Sequence, residues 1–319
     1  MEVLVVGNTA YVDDDFCAKA FPGDHVQVVA AAEARRDESS PHASWKELLQ
    51  HLDQAYEFDR VVYLSNYLTP HTDTVGDIEL LRSVFRSCAG RRVQLLYVAG
   101  PAGAEGATDA AGRTGKGIIA RAANDLCRYY ASQDDIQAKI LCTPYLYTAS
   151  AALNDPFLVP LFEACSTGSV ALQGAADAPF PLLCAEELAV LVHRVFDSWD
   201  AAFETLDVAD AFHRTTGDLG GALQGLFPGL SVAYGESTGY ALPAGDAARK
   251  RYGWFQRYDL LRDLSTIHAR WVNTRTKKVN PLRAAIDRIQ LRTLPIKCLE
   301  TGFAWVLFEV LEHLFSQSA

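Results

Sequence analysis

Short apolar runs alternate with amphipathic stretches along the first half of the chain. Runs rich in β-branched and other apolar residues predict strands at 3–6, 25–31, 60–64, 93–99 and 138–144. Stretches with apolar residues at helical spacing predict helices at 44–56, 77–88 and 117–131. Because strands that alternate with helices form a parallel sheet covered on both faces, the pattern predicts an α/β fold built on a doubly wound, Rossmann-like parallel sheet.

The spacing of the elements becomes looser after about residue 150. The later elements that the pattern predicts are helices at 154–165, 186–199, 218–227 and about 245–271, and a strand at 170–175. We interpret residues 1–150 as the sheet core and 151–272 as a smaller C-terminal lobe laid across the carboxyl edge of the sheet. The rest of the chain, 273–319, is interpreted as a basic linker (273–281) followed by a helical tail.

The overall charge and the cysteines narrow the classes of function. A formal net charge of -10 over 319 residues argues against a nucleic-acid partner, because no basic face is implied. The seven cysteines stand singly, with no C-x-x-C pair, and this favours reduced thiols in a cytoplasmic protein over disulfides or a zinc site. The chain runs directly into a strand at its N-terminus, so we expect no secretory signal.

Five segments together carry a resemblance to a known family. They are "FDRVVYLSNYLTPH" (58–71), "GRRVQLLYVAG" (90–100), "AKILCTPYLYT" (138–148), "PFPLLCAEELAVLVHRVFDSW" (179–199) and "AARKRYGWFQRYDLLRDL" (247–264). Their order resembles the extended short-chain dehydrogenase/reductase family, the NAD-dependent sugar-nucleotide epimerases and dehydratases, over about residues 1–272. The resemblance implies a domain of Rossmann type with a substrate lobe after it.

The cofactor turn of that family, G-x-x-G-x-x-G after the first strand, is degenerate in this chain. Its three positions carry Gly7, Ala10 and Asp13. Two anions about 5 Å apart repel by roughly 3 kcal/mol at an effective dielectric constant of 20, so carboxylates at 13, 14 and 15 oppose a bound pyrophosphate. The same aspartates suit a helix N-cap and first turn. We therefore expect no NAD and no other cofactor.

The catalytic residues of the family are also missing at the matched positions. The family uses a tyrosine, a lysine four residues later, and a serine or threonine after the fifth strand; the lysine lowers the pKa of the phenol that exchanges a proton. Matching "GIIARAANDLC" places Gly117 at the tyrosine and Arg121 at the lysine, and the serine position falls near Ala99 or Gly100. The resemblance therefore predicts a pseudoenzyme that serves as a scaffold, dimerisation or protein-interaction module.

Two alternatives stay open. The chain could be a working sugar-nucleotide epimerase or reductase with an atypical site, which predicts that cofactor is retained on purification. It could instead be a non-catalytic sensor whose pocket holds a small ligand, which predicts stabilisation by that ligand without turnover.

Two short motifs suggest other chemistry but are better interpreted as loops. "GESTG" (235–239) has the G-x-S-x-G pattern of hydrolases, yet the "YALPAG" that follows does not start a helix. "GRTGKG" (112–117) lacks the first glycine and the hydroxyl of a phosphate-binding loop; at most, Arg113 and Lys116 would hold a loose anion. The eight histidines are dispersed, and we expect no metal site.

The helices at 77–88 and 117–131 correspond to those that commonly form the dimer seam of the family. Their apolar residues suit a homodimer, although half of them could instead face their own sheet. The residues in question are Leu80, Leu81, Val84 and Phe85 on the first helix and Ile118, Ile119, Leu126 and Tyr130 on the second.

Basic residues precede an apolar run in the tail, an arrangement expected on the cytoplasmic side of a membrane. The run at 302–315 is fourteen residues long, whereas a spanning helix needs about twenty. "LETGFAWVLFEVLEHLF" (299–315) resembles the entry to the membrane region of PelD-like exopolysaccharide-biosynthesis regulators. This second resemblance implies a cytoplasmic domain tethered at the inner face of the membrane, with polysaccharide-synthesis machinery as its protein partner.

Overall fold

Six parallel strands form the central sheet. A computed structural model describes residues 1–7, 11–30, 58–65, 75–100, 115–133, 136–149, 155–209, 211–236 and 247–279. The strands, in their spatial order, are β2 (His25–Ala30), β1 (Glu2–Gly7), β3 (Arg60–Leu64), β4 (Gln94–Ala99), β5 (Gln137–Cys142) and β9 (Phe203–Asp207). Because the order runs outward from β1 in both directions, the sheet is doubly wound. The predicted fold class is confirmed.

Helices cover both faces of this sheet, which is why its inner strands are apolar on both sides. The helices of the described residues are α1 (Asp14–Ala20), α2 (Val75–Cys88), α3 (Gly115–Gln133), α4 (Leu158–Ser166), α5 (Ala185–Asp197), α6 (Thr216–Leu226), α7 (Ala247–Tyr252) and α8 (Leu260–Val279). Along β1, Val3 and Val5 pack in one core with α1 and α5, whereas Leu4 and Val6 pack in a second core with α2 and α3. This alternation is the period of two that an extended strand imposes on its side chains.

A third core belongs to the C-terminal lobe. Two small parallel sheets contribute to it, β6 (Tyr145–Tyr147) with β8 (Leu182–Cys184), and β7 (Ser169–Leu172) with β10 (Ser231–Tyr234). Side chains of α4, α6 and α8 pack against these strands. The lobe begins at β6, close behind the carboxyl end of β5.

The sheet extends beyond the predicted core at 1–150, because its sixth strand is β9, a segment for which the sequence pattern predicts no strand. Only Leu206 is fully buried in this edge strand, so the apolar run that marks the inner strands is missing. The helix predicted at about 245–271 is two helices, α7 and α8, with the extended segment 253–259 between them. The helix predicted at 44–56 lies outside the described residues.

The end of the chain differs in part from the prediction. The chain divides into two compact units, Met1–Trp271 and Val272–Ala319, and of the second the structure describes only residues 272–279. Since α8 continues to Val279, residues 273–279 of the predicted linker are helical. No helix within the described ranges is long and apolar enough to cross a membrane. The membrane tether, which rests on residues 280–319, stays a prediction.

The apolar residues of α2 that suit a dimer seam lie instead in the core of their own chain. Leu80, Leu81, Val84 and Phe85 are at most 5% exposed. Tyr130 of α3 stacks on Phe85 with the ring centroids 4.6 Å apart. A homodimer stays a prediction, but these α2 residues are committed to packing within the chain.

Candidate functional site

The positions that matched the family motifs lie along the carboxyl edge of the sheet and on the neighbouring helices. Gly7 ends β1 and Ala99 ends β4, and these two parallel strands flank β3. Asp13 directly precedes α1, and Gly117 and Arg121 lie in the first turns of α3. Ala10 and Arg113 lie outside the described residues.

Gly7 has a packing reason to be glycine. A Cβ atom placed there would lie 3.0 Å from Cβ of Leu64 at the end of β3 and 3.4 Å from Cγ2 of Val12. The first distance is shorter than an ordinary contact, so a side chain at this position would require Leu64 to shift by a few tenths of an ångström. The glycine is therefore explained without a bound cofactor.

The N-terminus of α1 is occupied by carboxylates of the chain itself. Asp13 is the N-cap, and its Oδ1 accepts a hydrogen bond from the Phe16 N–H at 2.8 Å. Asp14 and Asp15 follow in the first turn, and Asp15 pairs with Lys19 at 2.5 Å. The capping interpretation of these aspartates is confirmed. A phosphate at this position would compete with a carboxylate for the helix N–H groups and would meet negative charge.

Cys17, in the same helix, has an unreactive thiol. Burial and the nearby carboxylates of Asp13 and Asp14 raise its pKa to about 11, because all of them disfavour the thiolate. The six cysteines of the described residues are free thiols, and five of them are buried. Within the same part of the chain, no cluster of three histidine, cysteine or acidic side chains has the arrangement of a metal site.

A threonine lies beside the matched serine position. The backbone N–H and the hydroxyl of Thr143 both donate to the Ala99 carbonyl oxygen, at 2.8 and 3.1 Å. Thr143 is fully buried, so its hydroxyl serves to hold the end of β4 to the chain after β5. The sequence signal was a hydroxyl residue near the end of the strand predicted at 138–144.

The buried tyrosines near this edge are poor proton donors. Tyr11 donates its hydroxyl proton to the Leu146 carbonyl oxygen at 3.2 Å, and burial, with a smaller effect of Asp155, raises its pKa. Burial likewise raises the pKa of Tyr147, and nearby acidic groups add to this. A catalytic phenol needs a lowered pKa, so neither side chain replaces the missing tyrosine. Tyr129, which follows the matched position on α3, is 57% exposed.

A second polar cluster, which sequence reasoning missed, surrounds Lys139 of β5. This side chain is 0% exposed, and its Nζ lies 3.1 Å from Asp200 Oδ1, 3.1 Å from Tyr252 OH and 3.2 Å from Glu204 Oε2. The Trp199 ring lies 5.0 Å from the same Nζ. These contacts join β5 to β9 and α7, which is a structural role. In the sequence, this cluster is indicated by a single lysine within a predicted strand that is otherwise mostly apolar.

Comparison with known proteins rests on the fold, since no protein-family model matches the chain and no curated protein matches its sequence. The UDP-glucose 4-epimerase of Thermotoga maritima, solved with UDP-glucose, has a TM-score of 0.63 at 12% identity, over 86% of this chain and 100% of that one. The dTDP-glucose 4,6-dehydratase DesIV of Streptomyces venezuelae, solved with NAD and TYD, has a TM-score of 0.61 at 15% identity, over 86% and 97%. The fold is that of these epimerases and dehydratases.

A further neighbour agrees with this assignment of the fold. The UDP-N-acetylglucosamine 4-epimerase of Bacillus cereus has a TM-score of 0.59 at 13% identity, over 85% of this chain and 99% of that one. Identities this low establish the architecture alone. What the chain does must therefore be argued from its own residues.

The structure brings some of the matched positions to one edge and separates others. Gly7, Asp13 and Ala99 belong to the carboxyl edge of the sheet or to the start of α1. Arg121 is exposed on α3. Where the family resemblance implies a cofactor, the described residues thus hold a capped helix. Beside the position matched to the catalytic serine they hold a threonine hydroxyl that is hydrogen bonded to the backbone.

Proposed function

We propose that this chain is a catalytically inactive dehydrogenase/epimerase-like domain that serves as a protein-interaction module. The observation that carries the proposal is the N-terminus of α1, where the Asp13 carboxylate takes the Phe16 N–H at 2.8 Å. In dinucleotide-binding Rossmann domains the pyrophosphate takes such helix N–H groups. Here an internal anion already fills that role.

The neighbouring side chains support the same conclusion. Asp14 and Asp15 add two carboxylates to the first turn, and only Asp15 has a recorded cation partner, Lys19, among the described residues. A dinucleotide carries its own negative charges, so the helix dipole that would attract it is offset by these side chains.

The matched catalytic positions give independent support. Gly117 and Ala99 have no group that exchanges a proton, and arginine stays protonated at any physiological pH. Burial raises the pKa of Tyr11 and Tyr147, so the buried phenols near the edge favour the protonated state. Among the described residues, neither the matched positions nor these two phenols supply the base that proton transfer at this edge would need.

The proposed setting of the domain comes from the tail. Its basic and apolar composition supports a position at the inner face of a membrane. The resemblance of residues 299–315 to PelD-like regulators suggests polysaccharide-synthesis machinery as the partner, and a homodimer would bind such a partner through two copies of its surface. In this proposal the sheet and lobe supply a rigid support for binding surfaces rather than an active site.

Calorimetric titration of the full chain with NAD⁺, NADH and NADPH tests the proposal, after its absorbance has been checked for retained cofactor. We expect flat titrations, with DesIV of Streptomyces venezuelae as the positive control. Binding tighter than about 100 μM, roughly 5.5 kcal/mol, would favour the enzyme with an atypical site. A rise in melting temperature with UDP-glucose, without turnover, would favour the sensor.

A charge-neutralised variant makes the titration more informative. The triple substitution D13S, D14N and D15N keeps an N-cap oxygen while it removes three negative charges. If this variant binds NAD and the unmodified chain does not, the three negative charges are the reason why the unmodified chain does not bind NAD. Binding in the unmodified chain would contradict the proposal.

A further inference from the structure

The segment 253–259, between α7 and α8, displays aromatic side chains to solvent on a firmly held backbone. Phe255 is 50% exposed and Tyr258 is 46% exposed, whereas Trp254, Gln256 and Asp259 are buried. The segment is neither helix nor strand, and between Trp254 and Arg257 its side chains alternate between the core and the surface. Exposed aromatic residues on an ordered segment mark a surface that a partner can cover.

Hydrogen bonds to the interior fix this segment along most of its length. The Trp254 indole N–H donates to the Glu187 carbonyl oxygen at 3.2 Å, and the Gln256 amide donates to the Leu182 carbonyl oxygen at 2.6 Å. The backbone N–H groups of Arg257 and Tyr258 donate to the two Glu187 carboxylate oxygens, at 2.6 and 3.1 Å. A surface held in this way loses little conformational entropy on binding.

Beside the segment lies a pocket of about 230 Å³, lined in part by Val190, Arg194, Phe255, Arg257 and Tyr258. Pockets for small ligands and cofactors usually measure about 300–1,000 Å³, so this one suits a single large side chain better than a nucleotide. Val190 is 37% exposed and forms part of the apolar wall. Tyrosine, tryptophan and arginine are the residue types enriched at binding hot spots.

The charges around this pocket favour an acidic partner. The Arg257 guanidinium lies 4.9 Å from the Phe255 ring centroid, and no ion pair of Arg257 is recorded within the described residues. The two carboxylates of the lining are already hydrogen bonded: Glu186 accepts from the Cys184 thiol at 2.7 Å, and Glu187 accepts from the backbone. Arg194 donates to the Tyr252 carbonyl oxygen and adds a positive charge. Hydrogen bonds leave these carboxylates charged, and Arg257 itself acts on Glu187. The three cations of the lining, Lys19, Arg194 and Arg257, nevertheless outnumber the two carboxylates, so the pocket carries a net positive charge.

We infer that this surface, formed by Val190, Phe255, Arg257 and Tyr258, binds an extended protein segment that inserts one aromatic or large aliphatic side chain and places a carboxylate against Arg257. The inference rests on the proposed role as an interaction module and supplies its binding surface. A protein segment is favoured over an anionic membrane because the chain carries a net charge of -10, which repels such a membrane. The concave pocket also suits an inserted side chain.

Peptide selection on the full chain tests this inference. Short random peptides displayed on phage are selected against it, and the enriched sequences are measured as free fluorescent peptides by anisotropy. We expect enrichment of aspartate or glutamate next to a large apolar residue, and a loss of affinity of about tenfold or more with F255A and with R257E. Thermal melts confirm that both variants fold, which we expect because both side chains are exposed.

Matched controls use the same substitutions elsewhere on the surface. Y129A removes an aromatic side chain that is 57% exposed on α3, and R82E reverses an exposed charge on α2. Both should leave peptide binding unchanged. Absence of enriched acidic and apolar sequences, or binding that is indifferent to F255A and R257E, would overturn the inference.

Two further outcomes would assign the surface to another occupant and would therefore also overturn the inference. One is a change of sedimentation coefficient from dimer to monomer in F255A and R257E, which would mean that a second copy covers the surface. The other is flotation with phosphatidylserine vesicles that both substitutions abolish. Cofactor titrations of the same variants report on the inactive site separately, because neither substitution replaces a residue at the N-terminus of α1, where Asp13 caps the helix. The two proposals can therefore fail independently.

Discussion

At the scale of single residues, Lys139 is the side chain on which the packing of the sheet edge most depends. Its ammonium group is buried, and it has two carboxylates and a phenol within 3.2 Å. Arg251 pairs with the same two carboxylates from the outer side. Removing one member of a buried charge cluster leaves the others with an uncompensated desolvation cost.

The substitution K139M should lower the free energy of unfolding by about 3 kcal/mol. Methionine fills a similar volume, so the loss reports on the missing charge rather than on a cavity. Urea denaturation at pH 7 measures it. K250M is the matched control: Lys250 is exposed on α7, so the same substitution there should hardly move the midpoint. Equal stability of K139M and the parent protein would mean that the cluster is not stabilising.

The sequence predicts residue roles only where the partners are local. Asp13 caps a backbone group three residues ahead, and a run of aspartates before an apolar helix predicts this. Lys139 meets Asp200 and Tyr252, which are 61 and 113 residues away, and Glu187 holds a backbone group 70 residues away. Contacts over such separations depend on the fold, which the local pattern does not contain.

At the scale of elements, α8 packs on the lobe through an aromatic cluster around His268. The imidazole ring lies 5.2 Å from the Phe162 ring, 4.8 Å from the Phe227 ring and 5.7 Å from the Trp271 ring, measured between centroids. Partial burial among these rings disfavours the charged imidazolium and lowers the pKa of His268.

This lowered pKa predicts a loss of stability in mild acid. The unfolded chain takes up a proton at His268 near pH 6.5, whereas the folded chain takes it up only at lower pH. The contribution is therefore fully present above pH 6.5 and is lost as the pH falls. H268F keeps an aromatic ring but cannot take up a proton, so its free energy of unfolding should fall less between neutral and mildly acidic pH than that of the parent protein. The difference should be less than about 1.4 kcal/mol per pH unit, because solvent screens the half-buried ring.

Urea denaturation of both proteins at pH 7.5 and pH 5.5 measures the difference. A steeper loss in H268F than in the parent protein would contradict the prediction. H193F is a suitable control, because His193 lies on α5 and pairs with Asp197 instead of packing among rings.

The sequence predicts elements well where they are long or fully buried. The strands β1 to β5 and the helices α2, α3 and α5 fall within a few residues of their predicted bounds. The edge strand β9 was missed because its "FETLD" sequence combines two acidic residues with a single fully buried side chain. The spacing of apolar residues at 253–259 is compatible with a helix, and the sequence pattern therefore predicts one. In the structure the segment is not helical, because its backbone is held by hydrogen bonds to the distant Glu187.

At the scale of the whole molecule, residues that are distant in sequence complete the sheet. The strands β1 to β5 end by Cys142, but α5 begins only at Ala185. Together with α1, this helix covers the face of the sheet to which Val3 and Val5 belong. Leu96, Val98 and Leu141 pack with α5 side chains in the core of that face. A parallel sheet is stable only when both faces are covered.

A fragment of residues 1–150 should therefore not fold, although it contains every strand that the sequence predicts for the sheet core. It lacks β9 and the buried side chains of α5, Leu188, Leu191, Val192, Val195 and Phe196. Burial of each is worth about 1.5–3 kcal/mol, and the sum is comparable to the whole stability of a domain.

Circular dichroism in urea should show no cooperative transition for this fragment, and a hydrophobic dye should bind to it. The full chain and a fragment of residues 1–279 are the controls, and both should unfold cooperatively. A cooperative transition of the 1–150 fragment at the midpoint of the full chain would show that the sheet core is stable without its distant cover.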